Sequence, residues 1–208
     1  FARKVQDFYK SLGAWDVKIM SELYIRSAGQ LAQSVDDLTA TEMAGGGVTE
    51  PEALGTFSYH LDVRGGITGI GELANRLGID KLNIHLNMPT FNYGFRHTLP
   101  KERDNLAVLS PASGFGGLGS AAGRIVEFNI SVGEGLAIAV AKAIKEKRSL
   151  HSITHQEVRK TFNYTPLVYG RPSPNYEEIK NIETVFKQEQ ERQNREAMQR
   201  RQKSKSQV

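Results

Sequence analysis

Apolar positions along this chain recur with two different periods, and the change of period divides it into elements. In residues 56–63, Phe57, Tyr59, Leu61 and Val63 alternate with Ser58, His60 and Asp62, the pattern of a half-buried strand. Residues 81–88 repeat it, with Leu82, Ile84, Leu86 and Met88 set against Lys81, Asn83, His85 and Asn87. Between the two, residues 70–77 read as a short helix closed by Gly78. The aromatic-rich segment 91–98 reads as a third strand. Two alternating strands joined by a helix predict an antiparallel or mixed sheet with one wet face. Residues 106–109 then form the short, continuous apolar run expected of a strand buried in a parallel sheet. A glycine-rich stretch leads to Gly123. Beyond it the pattern predicts a small-residue helix over 131–147, opening on Gly133 and Gly135 and ending in basic residues that suit its C-terminal dipole.

The flanks are simpler. Residues 1–12 predict an amphipathic helix, with Val5, Phe8 and Leu12 on one face, stopped by Gly13. Residues 16–26 have β-type content in Val17, Ile19, Tyr24 and Ile25. Asp36-Asp37-Leu38-Thr39 reads as a turn or helix cap before a short segment that ends in Gly45-Gly46-Gly47. Thr154 and Glu157 have the spacing of a capping box. Residues 164–174, with Pro166, Pro172 and Pro174, predict a linker. The charged segment 176–203 is expected to dock its first turns through Ile179, Ile182, Val185 and Phe186, the remainder being a solvated helix or disordered tail.

Composition narrows the chemistry. A chain of 208 residues with 39% hydrophobic and 24% charged residues is long enough for one sizeable core or about one and a half domains. No cysteine is present, so the chain itself supplies no disulfide, thiolate metal site or redox-active dithiol. The five histidines lack the paired spacing of a metal site, and no Gly-x-Ser-x-Gly nucleophile motif occurs. No apolar run approaches the ~18 residues of a membrane span, and no signal-peptide pattern opens the chain, so the expectation is a cytoplasmic protein without a membrane partner. Arg200, Arg201, Lys203 and Lys205 form a basic end without an interleaved aromatic, which argues against a nucleic-acid partner and for solvation. The order strand, glycine-rich loop, glycine-opening helix offers free N–H groups to an anionic or electron-rich ligand edge. An ordinary strand-loop-helix unit without a ligand fits the same spacing.

Four segments in order add a resemblance. They are Leu23-Tyr24-Ile25-Arg26 with Asp37-Leu38-Thr39; Phe57-Ser58-Tyr59-His60-Leu61-Asp62; Phe91-Asn92-Tyr93-Gly94-Phe95-Arg96-His97-Thr98-Leu99-Pro100-Lys101 with Asp104-Asn105-Leu106-Ala107-Val108; and Gly119-Ser120-Ala121-Ala122-Gly123-Arg124 with Val132-Gly133-Glu134-Gly135-Leu136-Ala137. Together, residues 23–144 resemble the C-terminal part of the FAD-dependent oxidoreductases in the glutathione-reductase-like flavoprotein class. The resemblance implies an α/β or α+β chain: a mixed-sheet substrate-side region over 1–104, the returning strand and closing helix of a Rossmann-like FAD-binding domain over 105–163, and a linker with a charged helical tail over 164–208. It implies FAD as cofactor and hydride transfer between flavin N5 and a small organic substrate.

The same resemblance nominates Arg96, His97 and His60 as catalytic candidates, with Tyr93 and Asp62 on the substrate side. It nominates Arg124, Val132, Gly133, Glu134 and Gly135 at the cofactor. Each has an ordinary alternative: tight helix packing for the glycines, an ion pair with Glu127 for Arg124, a solvated or structural role for the others. The chain departs from the family pattern in three places. Asp62 is followed by Val63-Arg64 where the family has histidine; Glu134 replaces glutamine; Ala137 replaces the second glycine. No Gly-x-Gly-x-x-Gly opens a strand-to-helix unit near the N-terminus, and the glycine clusters Gly45-Gly46-Gly47, Gly65-Gly66 and Gly114 to Gly119 stand in the wrong context, so the expected partner is an N-terminal FAD-binding half of the same or a split protein. A catalytically silent partner of a flavoprotein, or a basic-tailed binding module, remain alternatives at this level.

Overall fold

A computed structural model of the chain describes residues 2–13, 33–60 and 89–205. Helix α1 (Ala2–Ser11) ends where expected, the chain leaving it through Gly13 at φ 88°. Helix α2 (Ala40–Ala44) opens on a capping box: the Thr39 hydroxyl accepts from the Glu42 N–H, and the Glu42 carboxylate accepts from the Thr39 N–H. Strands β1 (Gly55–Ser58) and β2 (Thr90–Tyr93) pair antiparallel, Gly55 opposite Tyr93 and Ser58 opposite Thr90. Helix α3 (Ser120–Gly123) is a single turn, α4 (Val126–Glu146) the long core helix, α5 (His155–Arg159) a second capping-box helix built on Thr154 and Glu157, and α6 (Tyr176–Lys205) the charged C-terminal helix.

Aromatic packing around Phe128, in the first turn of α4, holds the centre. Its ring lies 5.1 Å from Phe57, 5.8 Å from Phe91, 5.5 Å from Tyr93 and 6.0 Å from Phe115. Phe57, Phe91 and Tyr93 come from the two strands, so one side chain ties helix to sheet. Full burial of such a ring contributes about 2–3 kcal/mol, with each edge-to-face pair adding roughly 0.5–1.5 kcal/mol.

The mixed helix-and-sheet class holds, but several elements differ from expectation. Among the described residues the sheet has only two strands. Strand β1 stops at Ser58; residues 61–63, and the elements expected at 16–26, 70–77 and 81–88, lie outside the described residues. The strand expected over 91–98 ends at Tyr93, because the chain turns at Gly94 into a 3-10 turn over Arg96–Thr98. Residues 106–109 are not a buried strand. Val108 N–H donates to Thr98 C=O at 2.8 Å, but Leu106 and Leu109 are exposed and no ladder forms. A short apolar run is strand only when neighbours flank it, and none does among the described residues.

The long helix starts at Val126 rather than at 131, after Ile125 has passed through an extended conformation. Gly133 and Gly135 therefore sit inside α4. They had suggested a helix entrance, whereas what they provide is close packing. A Cβ on Gly135 would collide with the buried Leu54 side chain, and one on Gly133 would come within 2.8 Å of Leu109 Cδ2.

The C-terminal region is more integral than a linker and tail. Tyr169 N–H donates to Thr56 Oγ1 (2.9 Å), Gly170 N–H to Asn92 Oδ1 (2.8 Å), Arg171 N–H to Thr90 C=O (3.0 Å) and Ser173 N–H to Ala44 C=O (2.7 Å). This stretch covers the outer edge of β2 and so removes an open sheet edge. Helix α6 then buries Ile179, Phe186 and, unexpectedly, Glu183. The Glu183 carboxylate accepts from Ala40 N–H (3.1 Å), Thr41 N–H (2.8 Å), Thr41 Oγ1 (2.5 Å) and Leu118 N–H (3.1 Å). It caps α2 and the 3-10 turn Gly117–Gly119 from a remote helix. Gly117, at φ 54°, leaves room for it, since a Cβ there would strike the carboxylate. Beyond Phe186 most of the described side chains are exposed, and the helix carries pairs such as Arg192–Glu189 (2.6 Å).

Candidate functional site

The strongest candidate is a crevice of about 300 Å³ at the N-terminal end of α4, walled by Leu109, Pro111, Arg124, Val126, Ile130 and Gly133. Its form follows from the local sequence. Helix α3 ends at Gly123, Arg124 N–H closes onto Ser120 C=O, and extended Ile125 redirects the chain into α4. Ile125 has no side-chain oxygen, so it gives α4 no side-chain cap. The first bond into the helix runs from Asn129 N–H to Ile125 C=O, and the N–H groups of Val126, Glu127 and Phe128 find no acceptor among the described residues. A helix of 21 residues brings its positive dipole end to this point. Val126 and Ile130 are 52% and 67% exposed, unusual for apolar side chains at a helix start. Of Val126, Glu127 and Phe128 only Val126 lines the crevice, Phe128 being buried in the core, and apolar walls beside its open N–H suit a flat ring with an electron-rich edge.

The nominated cofactor residues divide. Arg124 and Gly133 line the crevice. Val132 and Gly135 face the core, and Glu134 lies on an exposed face of α4, where its carboxylate accepts from Tyr164 Oη at 2.8 Å. Desolvation, then the bond to Glu134, pushes the Tyr164 phenol up to about 12. The crevice walls Leu109, Pro111, Val126 and Ile130 were not nominated. Their only signal was an apolar pair at i, i+4, which the later start expected for the helix had hidden.

The nominated catalytic residues divide too. Arg96 and His97 line a second cleft of about 540 Å³, together with His155, Asp36 and Glu52. His97 is enclosed by Phe115 (5.0 Å) and Phe128 (5.9 Å), and burial lowers its imidazole to about 3, with His155 adding to the effect. His155 opens α5 and accepts from Phe95 N–H at 3.1 Å, which fixes Nδ1 as its protonated nitrogen in the neutral ring. Burial, then the nearby Arg96 charge, lowers it to about 4. Neither ring is a cation near neutrality. His60 lies outside this cleft, stacked on Tyr59 at 4.4 Å. Tyr93 is a core residue under Phe128, and Asp62 lies outside the described residues. His155 was missed because nothing in its sequence neighbourhood distinguishes it from a helix-capping position.

No group of metal-ligating side chains occurs among the described residues, and none of their helices is long and apolar enough to cross a membrane. Compared with known proteins, the chain matches no family model, no curated protein and no solved structure.

Proposed function

We propose that this chain is the C-terminal portion of an FAD-dependent oxidoreductase and that the crevice at the start of α4 receives the flavin ring. The observation that carries the reading is the Val126 N–H, left without an acceptor among the apolar walls of the crevice at the uncapped start of α4. That amide would hydrogen-bond the pyrimidine edge, and the dipole of α4 would favour negative charge there. Arg124 would add a positive field at the rim, while Leu109, Pro111 and Ile130 exclude water from the ring face. A flavin in this position supplies hydride chemistry toward a small organic substrate, and the protein contributes orientation and electrostatics.

Two further observations support the reading. Glu134, which departs from the family's glutamine, bonds Tyr164 and lies outside the crevice, so it does not obstruct this seat. The apolar exposure of α4 also continues past the crevice to Ile144, 74% exposed, giving a face on which an N-terminal FAD-binding half would pack. That half would supply the pyrophosphate seat. The test is the visible spectrum of the protein purified from its native source. An oxidised-flavin spectrum, with flavin released on denaturation, is expected; a colourless product from which denaturation releases no flavin overturns the proposal.

A further inference from the structure

The second cleft shares no lining residue with the crevice at the start of α4, and it has a charge arrangement of its own. Arg96 is half-buried, its Nε is buried without a partner, and no carboxylate among the described residues pairs with it. Yet carboxylates share the same cleft. Two are committed: Asp37 accepts the Ser34 hydroxyl and Glu42 closes the α2 capping box. The carboxylates of Asp36 and Glu52, both exposed residues at the cleft, make no hydrogen bond or ion pair among the described residues. A guanidinium partly withdrawn from water without a counterion is costly, as is a buried polar nitrogen such as His97 Nε2 left unbonded. A protein that keeps both charges in one cavity but apart from each other is arranged for a ligand carrying the complementary pair.

We propose that this cleft binds a small zwitterion, an amine-bearing carboxylate whose carboxylate meets Arg96 and whose ammonium meets Asp36 and Glu52. Arg96 supplies the planar donor fork that matches a carboxylate. The two neutral histidines keep the Arg96 end from becoming a general anion trap. The volume, about 540 Å³, is that of a metabolite site. The site stands whether or not the crevice at α4 holds a flavin.

Calorimetric titration of the 208-residue chain tests this, using the ω-amino acids from glycine to aminohexanoate, each beside the carboxylate and the amine of equal length. At least one amino acid is expected to bind about tenfold or more tightly than both of its monofunctional parents, which corresponds to ~1.4 kcal/mol. Arg96→Met should abolish that preference and Arg96→Lys should keep part of it. Asp36→Asn combined with Glu52→Gln should weaken the amino acid while leaving the parent carboxylate unchanged. Carboxylates binding as well as amino acids would mean an anion site, and amines binding as well a cation site. Either result, or no binding by any member of the series, overturns the proposal even if the Arg96 variants fail to fold.

Discussion

Replacing Glu183 with alanine removes one carboxylate and four hydrogen bonds at once, because Ala40 N–H, Thr41 N–H, Thr41 Oγ1 and Leu118 N–H all donate to it. The Thr41 hydroxyl can rotate to another acceptor, but the three backbone donors cannot. Each buried donor left unpaired costs about 1–3 kcal/mol, so the simple sum is roughly 3–9 kcal/mol. Two effects reduce it. The carboxylate no longer has to be desolvated, and the vacated space admits water. We therefore expect Glu183→Ala to lose about 3–5 kcal/mol. Glu183→Gln should lose ~2–3 kcal/mol, since the shape is kept but an amide NH₂ confronts backbone donors. Urea denaturation followed by far-UV circular dichroism measures both, with Glu191→Ala on the solvated part of α6 as a control expected within about 0.5 kcal/mol. A loss below ~1 kcal/mol for Glu183→Ala would refute the docking of α6 onto α2 and the Gly117–Gly119 turn.

Other predictions concern the same packing. Gly135→Val should destabilise the fold by about 1–3 kcal/mol, because even a Cβ at this position overlaps the buried Leu54 side chain; unchanged urea midpoints would show that Leu54 moves aside freely. Truncation after Phe186 should leave stability within ~1 kcal/mol, whereas truncation before Tyr176 removes Glu183, Ile179 and Phe186 and should prevent cooperative folding. Equal midpoints for the two truncations would contradict this. Stability should also fall with pH through the histidines. His97 and His155 are held at about 3 and about 4, below the unfolded value of 6.5, so the unfolded chain binds more protons between these limits. Stability is then full above about pH 6.5 and declines as the pH falls toward 3, by several kcal/mol at most. His97→Phe should flatten that decline, and an unchanged pH profile would show that His97 is not buried neutral.

Local chemistry was legible in the sequence where it is self-contained. The capping box at Thr154/Glu157, the helix cap at Thr39 and the stop at Gly13 depend on neighbours within a few residues and appear as expected, while the capping-box partner of Thr39, Glu42, was not foreseen. Elements defined by distant partners were not legible. Residues 106–109 look like a buried strand because Leu, Ala and Val suit one, but only flanking strands decide it. The start of α4 was misplaced because Gly133 and Gly135 resemble a loop, while their small size answers to Leu109 and Leu54 from remote segments. Glu183 is the clearest case. Within a helix rich in exposed acids it is indistinguishable, and its role exists only once residues 40, 41 and 118 come to it. The cleft was half visible, through Arg96 and His97; His155, Asp36 and Glu52 reach it by tertiary folding alone.

The claim that the start of α4 seats an isoalloxazine is open to one direct measurement, amide chemical-shift mapping of the 208-residue chain titrated with FMN, with ribitol phosphate as the control for the phosphate arm. The account predicts saturable shifts centred on the amide of Val126, with Arg124, Ile130 and Gly133 following, and none of them reproduced by the control. Shifts that ribitol phosphate reproduces, that gather elsewhere on the chain, or that fail to occur would contradict it.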